Sequence, residues 1–167
     1  GSVYEGSNQT TITNGTTAST SGSAGYGAVF VYKRTGTSWA QQAYVKAANA
    51  NSNDRFGSRV SLSGDTLAVS AYYEDSNQTT ITNGTTASSN NSRSNSGALY
   101  VYKRTGNSWA QEAYIKAANA DTDDRLQGPL ELDGDTLAVG VQREDSNQTT
   151  ITNGTTASSN NSSSDSG

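Results

Sequence analysis

The sequence predicts an all-β fold built from repeated four-stranded units, and three observations carry that expectation. Residues 28–97 and 98–167 are two copies of one unit, differing at 21 of 70 positions. Every apolar stretch in them is short, rich in valine, tyrosine and leucine, and bounded by glycine-containing turns. Nothing has a helical period, and AANA at 47–50 is too short to count.

Each unit reads as four strands in order. Residues 28–34 (AVFVYKR) and 98–104 (ALYVYKR) are β-branched and aromatic, and each is closed by a Thr-Gly turn. Residues 39–46 and 109–116 follow, with Trp39, Ala43 and Val45 alternating against Gln42, Tyr44 and Lys46. Next come 56–63 and 126–133, whose Ser-Gly-Asp and Asp-Gly-Asp turns lead into 66–73 and 136–143. Residues 1–27 hold a partial third copy, because VYEGSNQTTITNGTTAS at 3–19 matches YYEDSNQTTITNGTTAS at 72–88. A spacer rich in Thr, Ser and Asn, SNQTTITNGTTASSNNSRSNSG at 76–97, ends the first unit, and its counterpart ends the second. Removing that spacer of about 24 residues leaves about 46, the size of a β-propeller repeat. Asn-Gly pairs at Asn14-Gly15, Asn83-Gly84 and Asn153-Gly154 predict type I′ hairpins that project from the fold, each with a looser Ser/Asn tail.

Composition narrows the chemistry. The chain contains no cysteine, which excludes disulfides, zinc–thiolate sites and thiol nucleophiles, and no histidine, which excludes the usual catalytic triads. A net charge of −4 argues against nucleic acid or an anionic membrane as partner. No apolar run is long enough for a membrane span. The missing methionine and the near-identity of the copies fit an excerpt or an engineered repeat protein, with Gly1-Ser2 as a cloning remnant or as part of the repeat.

DRFGSRVSLSGDTLAVSA at 54–71, followed by GALYVYKR at 97–104, resembles the FG-GAP repeats of integrin-α-type β-propellers, particularly the bacterial ones. Phe56-Gly57 stands at the FG position, and Ser70-Ala71 and Gly140-Val141 at the degenerate GA-type position. The second copy departs from the pattern with Leu126-Gln127. The resemblance implies a non-enzymatic, extracellular or cell-surface scaffold for binding or adhesion, with an extracellular protein or glycan as ligand. The family's calcium loop is not carried over, because the connection at its position has shrunk to Ser63-Gly64-Asp65 and Asp133-Gly134-Asp135. No cofactor is expected. A second metal candidate, Asn119, Asp121, Asp123 and Asp124, matches Asn49, Asn51, Asn53 and Asp54 of the first copy, and a polar turn capped by aspartate is the preferred account of both.

Eleven of the 21 differences between copies fall in 56–73 against 126–143. Phe56, Ser58, Val60 and Leu62 are expected to share the core face, as are Leu126, Gly128, Leu130 and Leu132. The opposite face changes chemistry. Arg59, Ser61, Ser63, Pro129, Glu131 and Asp133, with Tyr72, Tyr73, Gln142 and Arg143 at the next strand's end, are the candidate ligand surface. Pro129 donates no N–H, which confines it to an edge strand or a strand start, as the innermost strand of a blade would be. Trp39 and Trp109 are expected between blades, and Lys33-Arg34 and Lys103-Arg104 at exposed strand ends.

With a blade written as strands A (inner) to D (outer), the chain reads C-D, A-B-C-D, A-B. The leading and trailing halves are complementary, so head-to-tail association would complete them, and a cyclic homotrimer of six blades is expected over a tetramer of eight. The rival is a longer chain whose neighbouring repeats supply the missing halves. A surface array or filament displaying Thr/Asn-rich hairpins is the alternative function. An enzyme would have only carboxylates such as Asp54, Asp124 and Glu131 to work with.

Overall fold

A computed structural model describes residues 1–19, 22 and 24–163. The ends of two spacers (20, 21 and 23 in the first, 164–167 in the last) lie outside the described residues. Those described hold ten strands and no helix: β1 (Thr13–Asn14), β2 (Val29–Thr35), β3 (Ser38–Val45), β4 (Phe56–Ser63), β5 (Thr66–Ala71), β6 (Thr82–Asn83), β7 (Ala98–Thr105), β8 (Ser108–Ile115), β9 (Leu130–Asp133) and β10 (Thr136–Val139). The chain is all-β, and every pairing between named strands is antiparallel.

The strands form three sheets, in the orders β1-β3-β2, β4-β5-β7-β8-β6 and β10-β9. The middle sheet is a complete propeller-like blade with A, B, C and D supplied by β4, β5, β7 and β8. The first sheet is a C-D half and the last an A-B half. Tight turns join A to B and C to D, while the connection from B to C, at 72–97, runs through the spacer. Phe56 anchors the blade's core, meeting Tyr100 edge-on at 5.2 Å and Tyr102 at 6.1 Å. Val45, Ala47, Val69, Ala71 and Tyr114 complete that core, so it joins the leading half-blade to the whole one. A second cluster of Ala68, Leu99 and Leu130 joins the whole blade to the trailing half.

Gly57 shows why the FG pair matters. Its φ is +90°, and a Cβ there would lie 2.7 Å from the Ala28 carbonyl oxygen. Only glycine fits so close an approach at that backbone angle. The β4–β5 register slips between Phe56 and Val60. The second copy has no positive φ at Gln127, and places Gly128 against Gly140 instead, where a Cβ would lie 2.6 Å from the Gly140 Cα. Pro129 stands just before β9, a strand paired only with β10 among the described residues.

Two expectations need correction. The Asn-Gly segments are not projecting hairpins. Thr13 and Asn14 pair with Tyr44 and Ala43 of β3, and Thr82 and Asn83 pair with Tyr114 and Ala113 of β8, adding a fifth, outermost strand to the blade. Strand D has an open edge whose backbone groups need partners, and the spacer supplies them. Asn83 has no positive φ, so the type I′ turn does not form. Val60 and Leu62 also leave the expected core face, Leu62 being 58% exposed. Their counterparts Leu130 and Leu132 pack against the whole blade. Among the described residues, the leading half-blade has no strands A and B, so Val60 and Leu62 meet no equivalent surface.

Candidate functional site

The predicted ligand residues do not converge on one pocket. Ser61 and Ser63 are spent on the neighbouring half-blade: their hydroxyls accept hydrogen bonds from the backbone N–H of Leu132 (3.0 Å) and Gly134 (3.2 Å). Arg59 is exposed and lines a cavity of about 220 Å³ with Val3, Ser58, Tyr72 and Gln127. Pro129 is exposed just before β9, Glu131 and Asp133 are exposed on it, and Gln142 and Arg143 are exposed beyond β10.

Tyr72 and Tyr73 do assemble a cluster, together with two arginines that sequence reasoning passed over. The Arg55 guanidinium lies 5.1 Å from the Tyr4 ring and 5.0 Å from that of Tyr73, and donates to the Tyr72 hydroxyl at 2.9 Å. Arg125, which leads into the trailing half-blade, lies 5.1 Å from the same Tyr73 ring. Asp123 accepts from Arg125 at 3.0 Å, and hydrogen bonds from Asn95 and then Arg125 hold its carboxyl below the usual range. The result is a ribbon of tyrosine faces and guanidinium groups running across two blades. Arg55 and Arg125 both have a positive φ, of 57° and 54°, and that turn geometry leaves no mark in the residue pattern.

The metal candidates are occupied with the turn itself. The Asp124 carboxylate accepts the Asp121 backbone N–H at 2.6 Å, and Asp121 accepts the Thr122 N–H at 2.7 Å. Asn119 donates to Glu144 and to the Ser158 carbonyl. Among the described residues, no group of three or more acidic side chains is placed to hold a cation. Asp54 does in the first copy what Asp124 does in the second, accepting the Asn51 N–H at 2.9 Å. Burial pushes the Asp54 carboxyl up to about 7, with nearby Glu74 and Asp75 adding to the effect, and burial raises Asp124 as well.

The best-built polar site joins the spacer to strand D. Lys116 Nζ, fully buried, lies 2.8 Å from Glu74 Oε2 and donates to the Ser96 hydroxyl at 2.7 Å. Glu74 also receives the Tyr114 hydroxyl at 2.8 Å, the Asn49 amide at 3.0 Å and the Ser76 N–H at 3.1 Å. The leading half-blade repeats the arrangement with Lys46, which reaches Glu5 at 2.7 Å and the Ser7 and Gly27 carbonyls at 2.6 Å. Burial lowers both lysines, and the paired glutamates partly restore them. These ion pairs staple the first two spacers to the strands D they lie on.

A family model for the FG-GAP repeat matches residues 39–102, from the outer strand of the leading half-blade into strand C of the complete one. This stretch is similar to an FG-GAP repeat. Comparison with curated proteins and with solved structures found no match. Within that stretch Phe56 packs in the core, and Gly57 permits the close approach to the Ala28 carbonyl. Among the described residues, no helix is long and apolar enough to cross a membrane.

Proposed function

We propose that this FG-GAP chain is a non-enzymatic, extracellular binding or adhesion scaffold that completes its blades by sharing them with a second copy of itself. The observation that carries this reading is the pair of complementary open edges. Among the described residues, β10 has a free edge at one end of the chain and β2 at the other, and the β5–β7 pairing within the whole blade supplies the register between them.

The faces beside those edges carry apolar groups that their counterparts bury. Trp39 is 67% exposed, whereas Trp109 is 4% exposed and donates its indole N–H to Gln42 at 3.0 Å. Tyr32 is exposed where Tyr102 is buried, and Val60 and Leu62 are exposed where Leu130 and Leu132 are covered. A neighbour whose β9–β10 half pairs with β2 would cover Val60 and Leu62 with that half, and Tyr32 and Trp39 with the complete blade beside it. The tyrosine–arginine ribbon of Tyr72, Tyr73, Arg55 and Arg125, with exposed Arg143 beyond it, is the surface offered to an outside protein or glycan ligand.

The solution mass tests the reading, by light scattering after size exclusion or by native mass spectrometry. Three chains of 17.4 kDa give about 52 kDa and the expected six-bladed ring. A folded species of 17.4 kDa at all concentrations overturns blade sharing.

A further inference from the structure

The spacer sequence occurs three times, and its environment differs at each occurrence. SNQTTITNGTTAS is identical at 7–19, 76–88 and 146–158. In the first two it lies on a strand D, giving β1 and β6. In the third no named strand forms, and Ile151 is 90% exposed against 58% for Ile81. The third copy nonetheless has the same anchor as the second. Asn119 holds Glu144 at 2.7 Å and the Ser158 carbonyl at 2.8 Å, just as Asn49 holds Glu74 at 3.0 Å and the Ser88 carbonyl at 2.6 Å.

The second copy defines what such an anchored spacer receives. Tyr100 donates its hydroxyl to Asn49, and Tyr114 and Lys116 donate to Glu74. At the corresponding place in the third copy, Asn119, Glu144, Ser146, Gln148 and neighbouring threonines line a cavity of about 310 Å³. The matching set on the leading half-blade is Phe30, Tyr44 and Lys46, carried by β2 and β3. That set is already engaged: Lys46 pairs with Glu5, β1 occupies the edge of β3 at Tyr44 and Ala43, and Ser2 bridges Ala28. A neighbour's spacer needs the same edge in the same register. Both cannot be there together.

We propose that residues 3–19 are an intramolecular plug on the β3 edge, displaced during assembly by residues 142–158 of a second copy, so that Lys46 exchanges Glu5 for Glu144 of that copy. The proposal rests on the blade-sharing reading. Residues 24–27 stay with β2, so the completed spacer is a hybrid of two chains. The exchange replaces one set of contacts with an equivalent set, and the net drive comes from pairing β10 with β2 and covering Trp39, Val60 and Leu62. Because the plug is tethered to the edge it covers, it competes at high effective concentration, and assembly shifts to higher protein concentration.

The absence of native cysteine makes the test clean. Asn14 and Ala43 are directly paired across β1 and β3, a spacing that a disulfide can bridge. Oxidised N14C/A43C locks the plug in place, and oxidised N153C/A43C can link only an exchanged spacer to β3. The expected results are loss of the assembled mass in the oxidised lock, its return when the same protein is reduced, and covalent multimers from N153C/A43C on denaturing gels. Assembly that survives the oxidised lock, or N153C/A43C that stays monomeric while the assembled mass persists, overturns the exchange but leaves blade sharing intact. An unsubstituted chain that never exceeds 17.4 kDa overturns both.

Discussion

Asp54 offers a direct test of how the blade's polar interior behaves. The residue is 2% exposed and caps the turn after β3 by accepting the Asn51 N–H. Burial, reinforced by Glu74 and Asp75 and opposed by the Asn51 hydrogen bond and Lys116, takes its carboxyl from 3.8 to about 7. A carboxyl raised on folding contributes stability that is fully present below its unfolded value and is lost as pH climbs through the folded one. The span of roughly three pH units, at ~1.36 kcal/mol per unit, amounts to ~4 kcal/mol between about pH 4 and pH 7. Asp54→Asn keeps an oxygen to accept the Asn51 N–H and has no proton to lose. Glu5 and Asp123, both held below their usual values, gain stability with rising pH, but their window closes near the ordinary carboxylate range. Asp124, raised like Asp54, contributes the same slope to both proteins. The difference between their melting temperatures, read by circular dichroism from about pH 5 to pH 8, therefore isolates Asp54. The parent should fall by on the order of 10 °C across that interval, and Asp54→Asn should lose most of that slope. Parallel curves for the two proteins would refute a carboxyl whose ionisation is penalised by burial.

Further substitutions probe the spacer's attachment. Lys116→Met strands the buried Glu74 carboxylate and should cost ~3–5 kcal/mol in urea unfolding, while the pair Glu74→Gln with Lys116→Met should recover most of the loss. Gly84 has a φ of +101° and donates its N–H to the Glu112 carbonyl at 2.6 Å, so Gly84→Ala should destabilise the chain by about 1 kcal/mol or more. Gly154 has a similar φ of +108°, but its spacer forms no named strand and the backbone there is free to relax. Gly154→Ala should leave the melting temperature of the unassembled chain unchanged while weakening assembly.

Much of the architecture was legible because it rests on local pattern. The repeat, the period-two alternation and the glycine turns are enough to give four strands per unit and the order C-D, A-B-C-D, A-B. The inter-blade place expected of both tryptophans holds for Trp109 but not for Trp39, which is 67% exposed, and Pro129 before β9 followed from its missing N–H. The exposure of Val60 and Leu62 was not legible. Alternation marks a residue as facing a neighbour, but says nothing of whether that neighbour is there. The Arg55 and Arg125 contacts were hidden for another reason, since they depend on left-handed backbone at two non-glycine positions. The staples Lys46–Glu5 and Lys116–Glu74 had one available signal. A glutamate opening the spacer and a lysine ending the next strand D recur in step, 41 and 42 residues apart.

The three identical spacers carry the same lesson further, because sequence is held constant among them. Their Asn-Gly pairs offered a local route to a hairpin, worth little without strands on both sides to stabilise it. An open strand D offers the same backbone groups partners in an existing ladder, and where it is present, at β3 and β8, the spacer adds a strand. Where none is adjacent, at 149–156, the same residues form no named strand. Secondary structure in these segments is thus a property of the edge they meet. An edge that sets a segment's structure also selects between copies of it, and two identical segments suited to one β3 edge are competitors by construction of the chain. On the proposed exchange, the segment that occupies the β3 edge is read out by which glutamate holds Lys46.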